Sequence, residues 1–198
     1  GQVHRRRVRA PGKPAAGGCE RMRHEIRFSG LGGQGIITAA VILGRAAALY
    51  ADKHVVQTQS YGPEARGGAS ASAVIISDEP IHYPKVTDPE TFVIMSQAAY
   101  DKYGCKAGNN ALMLVDPGYV TSRPCCVCLE VPATAEAKAQ LGKPVFANVI
   151  MLGALMEATG VIDYDSLERA VLDSVPKGTE EANKKALAIG REIVRKQL

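Results

Sequence analysis

Ile26-Arg27-Phe28-Ser29-Gly30-Leu31-Gly32-Gly33-Gln34-Gly35 decides the fold of this chain. The stretch reads as a short strand, 25–29, running into a glycine-rich turn, and residues 36–50 have the small, apolar make-up of a helix laid against a sheet. Gly30, Gly32 and Gly35 fall on the G-x-G-x-x-G spacing, with Gly33 and Gln34 between the last two. Strand, glycines, helix is the order a phosphate-cradling turn requires. Glycine lets backbone N–H groups approach an anion without an intervening Cβ, and the helix N-terminus adds about half a positive charge. The same glycines equally serve a tight turn and close helix–sheet packing, so the motif by itself names no ligand.

A dinucleotide fold also places an acid about 20 residues on, at the end of the second strand, to hold ribose hydroxyls. Here the second strand reads 55–59 and its end carries Gln59 and Ser60, while Asp52 lies before it, at the wrong end. Nicotinamide or flavin dinucleotide binding is disfavoured on that ground. The next stretch, Ser60-Tyr61-Gly62-Pro63-Glu64-Ala65-Arg66-Gly67-Gly68-Ala69, is too rich in Gly and Pro for helix or strand and forms a shaped loop. It leaves the carboxyl end of a strand, where open α/β sheets bind ligands. Arg66, flanked by Gly67 and Gly68 and near Ser60, Tyr61 and Glu64, offers a guanidinium that holds a carboxylate or phosphate bidentately, or else pairs with Glu64 to fix the loop.

Further strands are expected at 72–77, 92–96, 111–116 and 127–131, and helices at 35–51, 97–103, 135–141, 146–158 and 167–175, with a last helix after Thr179. The 146–158 segment is apolar almost all round and reads as buried on more than one side. Asp165 and Glu168 have capping-box spacing, and Thr179 is placed to cap the last helix, with Glu180 and Glu181 in its first turn and Lys196 near its end. This alternation implies an α/β fold: a single three-layer Rossmann-like domain with a largely parallel or mixed sheet and a helical C-terminal part. The back-to-back strands 55–59 and 72–77 are where an antiparallel or edge pairing is expected.

With 198 residues, 46% of them hydrophobic, the chain has enough material for one well-buried domain, built without Trp from Ala, Val, Ile, Leu and Met. The net charge of +4 is unevenly placed. Arg5, Arg6, Arg7, Arg9, Lys13 and Arg21 against Glu20 alone put residues 1–21 at +5 and leave the rest at −1. Residues 1–21 therefore read as a basic, flexible extension, with Met22 standing where a natural initiator would, and residues 22–198 as the domain. Neither a nucleic-acid footprint nor a membrane span of roughly 20 apolar residues is found in the domain, and a cytoplasmic location is expected. Five cysteines, three of them in Cys125-Cys126-Val127-Cys128, fit neither a disulfide framework nor a cubane cluster and read as reduced thiols. No histidine neighbours a nucleophile elbow, no lysine follows the glycines as in a Walker loop, and no paired carboxylates share a helical face. The chain is expected to assist catalysis and not to perform it alone, so no catalytic or metal-ligating residue is assigned.

Three stretches together carry a family likeness. Phe28-Ser29-Gly30-Leu31-Gly32-Gly33-Gln34-Gly35, the loop Gln59 to Gly68, and Ala147-Asn148-Val149-Ile150-Met151-Leu152-Gly153 resemble the gamma subunit of 2-oxoacid:ferredoxin oxidoreductases. Val175-Pro176-Lys177-Gly178-Thr179-Glu180-Glu181-Ala182-Asn183 is similar to the 2-oxoglutarate branch, 2-oxoglutarate synthase. The resemblance runs from about Met22 to the C-terminus and leaves the basic extension outside it. It implies CoA-dependent oxidative decarboxylation of a 2-oxoacid, with electrons passed to ferredoxin. The implied substrate is 2-oxoglutarate, giving succinyl-CoA and CO2, with the pyruvate and branched-chain or aryl 2-oxoacid branches as alternatives. It also implies alpha and beta partner subunits, and in some complexes delta. These would hold thiamine diphosphate, Mg²⁺ and [4Fe-4S] clusters, none of them bound by this chain alone. On this resemblance Gly30, Gly32, Gly33, Gln34 and Gly35, with Ser60, Tyr61, Glu64, Arg66, Gly67 and Gly68, would face coenzyme A or a partner subunit. Outside the resemblance stand a free-standing dinucleotide-dependent oxidoreductase and a purely structural subunit.

Overall fold

The computed structural model describes residues 22–60, 69–122, 124 and 126–198. Strand β1 (Arg23–Leu31) leads through the glycine turn into helix α1 (Ile36–Tyr50), then β2 (His54–Ser60) and β3 (Ala69–Ser77). After them come β4 (Thr91–Ile94), α2 (Gln97–Tyr103), β5 (Leu112–Val115) and β6 (Val127–Glu130). The C-terminal part is helical: α3 (Ala133–Leu141), α4 (Ala147–Thr159), α5 (Tyr164–Ser174) and α6 (Glu180–Arg195). The extension at residues 1–21 lies outside the described residues.

One six-stranded sheet has the order β2-β3-β1-β4-β5-β6. The β1–β4, β4–β5 and β5–β6 pairings are parallel, and β3 runs antiparallel to both of its neighbours. Five strands thus point one way, and β3 is inserted against them, which is the antiparallel element expected at the back-to-back pair. β1 and β3 are paired from Arg23 with Ser77 to Leu31 with Ala69, so both outrun the short segments that their apolar residues alone suggest.

Both faces of the sheet are covered, and this explains the continuous apolar runs. Ile26, Phe28, Val93, Leu112 and Leu114 face the large core shared with α1, α4, α5 and α6. Phe92, Ile94, Met113 and Val115, the alternate residues of the same strands, pack with Ala99 of α2 and with Val120. Of the 13 residues of α4, only Glu157 and Thr159 are not buried, as its unbroken apolar surface requires. Where α4 crosses α6, the backbones meet at Gly153 and Gly190.

Two helix starts differ from expectation. The N-cap of α5 is Asp163, whose carboxylate accepts from Ser166 N at 2.8 Å, so Asp165 falls inside the first turn and the Asp165/Glu168 capping box is not formed. An acid two residues earlier reaches the free amide first, since a cap must precede the helical residues. Thr179 does occupy the N-cap position of α6, but its hydroxyl donates back to Pro176 O at 2.7 Å and caps nothing.

Across the α4–α6 contact, Arg191 Nε and Arg195 Nε donate to Glu157 at 2.7 and 2.9 Å. Burial pushes the Glu157 carboxyl up, but the hydrogen bonds from Arg195 and Arg191 outweigh it and hold the group below its ordinary range. A carboxylate lowered in this way stabilises the fold fully above its ordinary value of about 4.5, and that contribution is lost as pH falls through the lower folded-state value. In urea titrations, the unfolding midpoint is therefore expected to hold from pH 7 to pH 5 and then decline, with Glu157→Gln flattening part of the decline. Parallel curves for the two proteins would contradict this role.

Candidate functional site: the glycine turn

At the end of β1 the Gln34 side chain folds back over the turn. Its Oε1 accepts from Leu31 N at 2.7 Å and its Nε2 donates to Met95 O at 2.8 Å. Gln34 thereby ties the end of β1 to the end of β4. Connections leave these two neighbouring strands toward opposite sides of the sheet, which makes the gap between them the topological switch point. A side chain of the protein itself occupies that crevice.

The glycines divide by purpose. A Cβ on Gly30 would stand 2.5 Å from Gln34 Oε1 and 2.9 Å from the Ile36 side chain, so Gly30 makes room for the folded glutamine. Gly35 caps α1 in the left-handed region at φ 73°, and a Cβ there would lie 2.5 Å from Nδ2 of the buried Asn148 at the start of α4. Asn148 Nδ2 in turn donates to Gly35 O at 3.4 Å. The first and third family-like stretches are thus in contact. Gly32 and Gly33 have open space where a Cβ would be.

That open side is a cavity of about 350 Å³ lined by Gly32, Gly33, Ile37, Thr38 and Ser70 among others. Among the described residues no side chain caps α1, and no acid stands in its first turn. Among the described residues the site therefore combines uncapped first-turn amides, the positive end of a helix and an approach kept clear by two glycines, and none of the described carboxylates lines it.

Ser60 ends β2, exposed, in register with Ala71, which in turn pairs with Ser29. Two strand spacings, roughly 10 Å, separate it from β1. The structure does not bring it into the glycine-turn cavity; it lines a second cavity on the opposite face. Tyr61, Glu64, Arg66, Gly67 and Gly68 lie outside the described residues. Sequence reasoning gave no site role to Asn148, Thr38 or Ser70. Only Asn148 left a signal, as a polar residue in an otherwise apolar helix. Among the described residues, no group of three or more His, Cys, Asp or Glu is arranged to hold a metal ion, and Cys105, Cys126 and Cys128 form no disulfide. No helix among them is long and apolar enough to cross a membrane.

Such a fold and turn define an α/β domain whose glycine turn opens at the uncapped start of its first helix. The chain belongs to the pyruvate ferredoxin/flavodoxin oxidoreductase family, which it matches over residues 25–193. It is 52% identical to the 2-oxoglutarate synthase subunit KorC of Methanocaldococcus jannaschii, over 88% of this chain and 96% of that one. The gamma subunit of a keto/oxoacid ferredoxin oxidoreductase from Geobacter sulfurreducens PCA superposes with a TM-score of 0.79 at 40% identity, covering 87% of this chain and 99% of that one. A 2-oxoglutarate:ferredoxin oxidoreductase from Magnetococcus marinus, with 2-oxoglutarate, coenzyme A and succinyl-CoA bound, shares the fold. Its TM-score is 0.79 at 21% identity, over 88% of this chain and 31% of that one. Within the family this is a gamma-type subunit, accessory in an oxidoreductase complex. Family membership, the crevice filled by Gln34 and the missing acid after β2 leave the free-standing dinucleotide enzyme without support.

Proposed function

We propose that this chain serves a CoA-dependent 2-oxoglutarate:ferredoxin oxidoreductase, and that its glycine turn, with the Arg66 loop, receives phosphates of coenzyme A. In that reaction 2-oxoglutarate, coenzyme A and two oxidised ferredoxins give succinyl-CoA, CO2, two reduced ferredoxins and a proton. The observation that carries the site reading is the uncapped N-terminus of α1 above the open Gly32–Gly33 backbone. A phosphate there gains amide hydrogen bonds and the helix field, and gives up little to a glycine wall. The choice of 2-oxoglutarate over pyruvate and the branched-chain or aryl 2-oxoacids rests on the 52% identity to a 2-oxoglutarate synthase subunit.

Thiamine diphosphate, Mg²⁺ and [4Fe-4S] clusters are assigned to the alpha and beta subunits, and to delta where present. The described residues of this chain offer no donor set that fits a metal or cluster. Ferredoxin is the electron acceptor of the complex, and the cytoplasm its location.

Viologen-dye reduction by the purified complex, with each 2-oxoacid in turn and with or without coenzyme A, tests the reading. Turnover is expected to need coenzyme A and to favour 2-oxoglutarate. Arg66→Ala is expected to raise KM for coenzyme A about tenfold, the loss of one charge-assisted phosphate contact of about 1.4 kcal/mol, and to leave KM for 2-oxoglutarate unchanged. An unchanged KM for coenzyme A would sink the site assignment. Loss of assembly in place of a kinetic effect would favour the purely structural subunit.

A further inference from the structure

The sheet carries a second cavity, on the face away from α1, that the glycine-turn reading does not use. Its volume is about 350 Å³. The floor is made by Ala71 and Ala73 of β3, whose small side chains leave a hollow. Arg27 of β1, Lys85 of the segment before β4 and Tyr103 at the end of α2 stand around it, with the hydroxyls of Thr58 and Ser60 from β2.

Arg27 is the informative residue. It alternates with Ile26 and Phe28, which are buried against the α1 side, so its side chain rises from the middle of the other face. Half-buried there, its guanidinium lies 5.5 Å from the centre of the Tyr103 ring, and no carboxylate of the described residues pairs with it. Lys102 Nζ approaches the same ring at 5.3 Å, and Lys85 is likewise without an acidic partner among the described residues. Two cations, Arg27 and Lys85, therefore line one hollow without a matching acid among the described residues. Cations on a sheet face are ordinarily paired or fully solvated. A half-buried unpaired guanidinium beside hydroxyl donors is what recognition of a multiply charged tetrahedral anion demands.

We infer that this cavity binds the phosphate group of a small molecule, with Arg27 and Lys85 as charge partners and Thr58 and Ser60 as hydroxyl donors. The volume is at the lower end of small-ligand sites and suits a phosphate ester or diphosphate. The site is on the opposite face of the sheet from the glycine turn and stands whether or not that turn receives coenzyme A. Coenzyme A and a separate phosphorylated effector share the chemistry.

The test uses the whole purified complex with its thiamine site saturated, and calorimetric titration with inorganic pyrophosphate and with coenzyme A. In Arg27→Gln pyrophosphate is expected to bind at least tenfold more weakly than in the wild type. Lys85→Gln, an exposed substitution that leaves the fold alone, is expected to weaken it at least threefold, and Arg27→Lys to restore part of the loss. If coenzyme A is the source, KM for coenzyme A rises by the same factors and pyrophosphate competes with it. If the ligand is a separate effector, pyrophosphate binding weakens while KM for coenzyme A holds. Undiminished pyrophosphate binding in both glutamine variants, absence of saturable binding in the wild type, or loss of subunit assembly with pyrophosphate binding intact would each overturn the proposal.

Discussion

Gly190→Ala is expected to lower the unfolding free energy by about 3 kcal/mol or more, at the upper end of overpacking costs. A Cβ on Gly190 would come within 3.0 Å of Ile150 O, Ile150 C and Ala154 N of α4, and one on Gly153 would meet the Leu187 backbone of α6 in the same way. Two effects oppose each other. Alanine gains about 1 kcal/mol over glycine in a helix interior, so at an exposed position the substitution would stabilise. Here the obstacle is backbone, which has no rotamer to give, and α4 is packed on all sides and has nowhere to retreat. Steric exclusion wins. In a thermal melt, a 3 kcal/mol loss corresponds to a fall of roughly 10 °C for a chain of this size. Gly108→Ala, at a site with open space, serves as the control and is expected to change little. A Gly190→Ala melt within about 2 °C of the wild type would mean that the helices do not cross at these glycines.

Asp116→Ala is the second large effect, about 3 kcal/mol by loss of hydrogen-bonded partners to a buried charge. Asp116 is 1% exposed at the end of β5. Its Oδ2 accepts from Thr134 N at 2.9 Å and from Thr134 Oγ1 at 2.7 Å, and its Oδ1 accepts from Gly118 N at 3.0 Å. Truncation leaves these donors facing a dry gap and unties the start of α3 from the sheet. Asp116→Asn keeps one acceptor oxygen and is expected to lose about half as much, because its amide N–H group confronts donors on one side. Urea denaturation of the three proteins checks the order, wild type above Asn above Ala. Equal stability of Ala and Asn would place the cost in lost volume and not in the donors.

The sheet was legible because its signal is local. Runs such as Phe92 to Met95 and Leu112 to Val115 are long enough, and bounded clearly enough, to read as doubly buried strands. The glycine turn was legible as a turn but not in its division of labour. Gly30 answers to Gln34, which reaches across 61 residues to Met95, and Gly35 answers to Asn148 on α4. Neither dependence leaves a mark at short range. The start of α5 was misread because Asp163 and Asp165 are equally good caps in sequence, and only the chain's direction of entry selects Asp163. Arg27 passed unnoticed because a lone cation in an alternating strand looks like a solvated face. The absence of a partner acid among the described residues, visible only in the folded chain, is what marks it.

The two ends of the sheet are unequal. On β6 the Gln197 side-chain amide takes up both main-chain groups of Glu130, donating to its O at 2.8 Å and accepting from its N at 3.1 Å, as a neighbouring strand would. Among the described residues β2 has β3 on one side and no strand on the other, and its last residues are exposed. Growth of the sheet by head-to-tail addition of copies needs one open border of each kind, and Gln197 removes one of them. Strand pairing between two copies is left with β2 against β2, a self-complementary contact about a twofold axis that closes on itself and cannot propagate into a fibre.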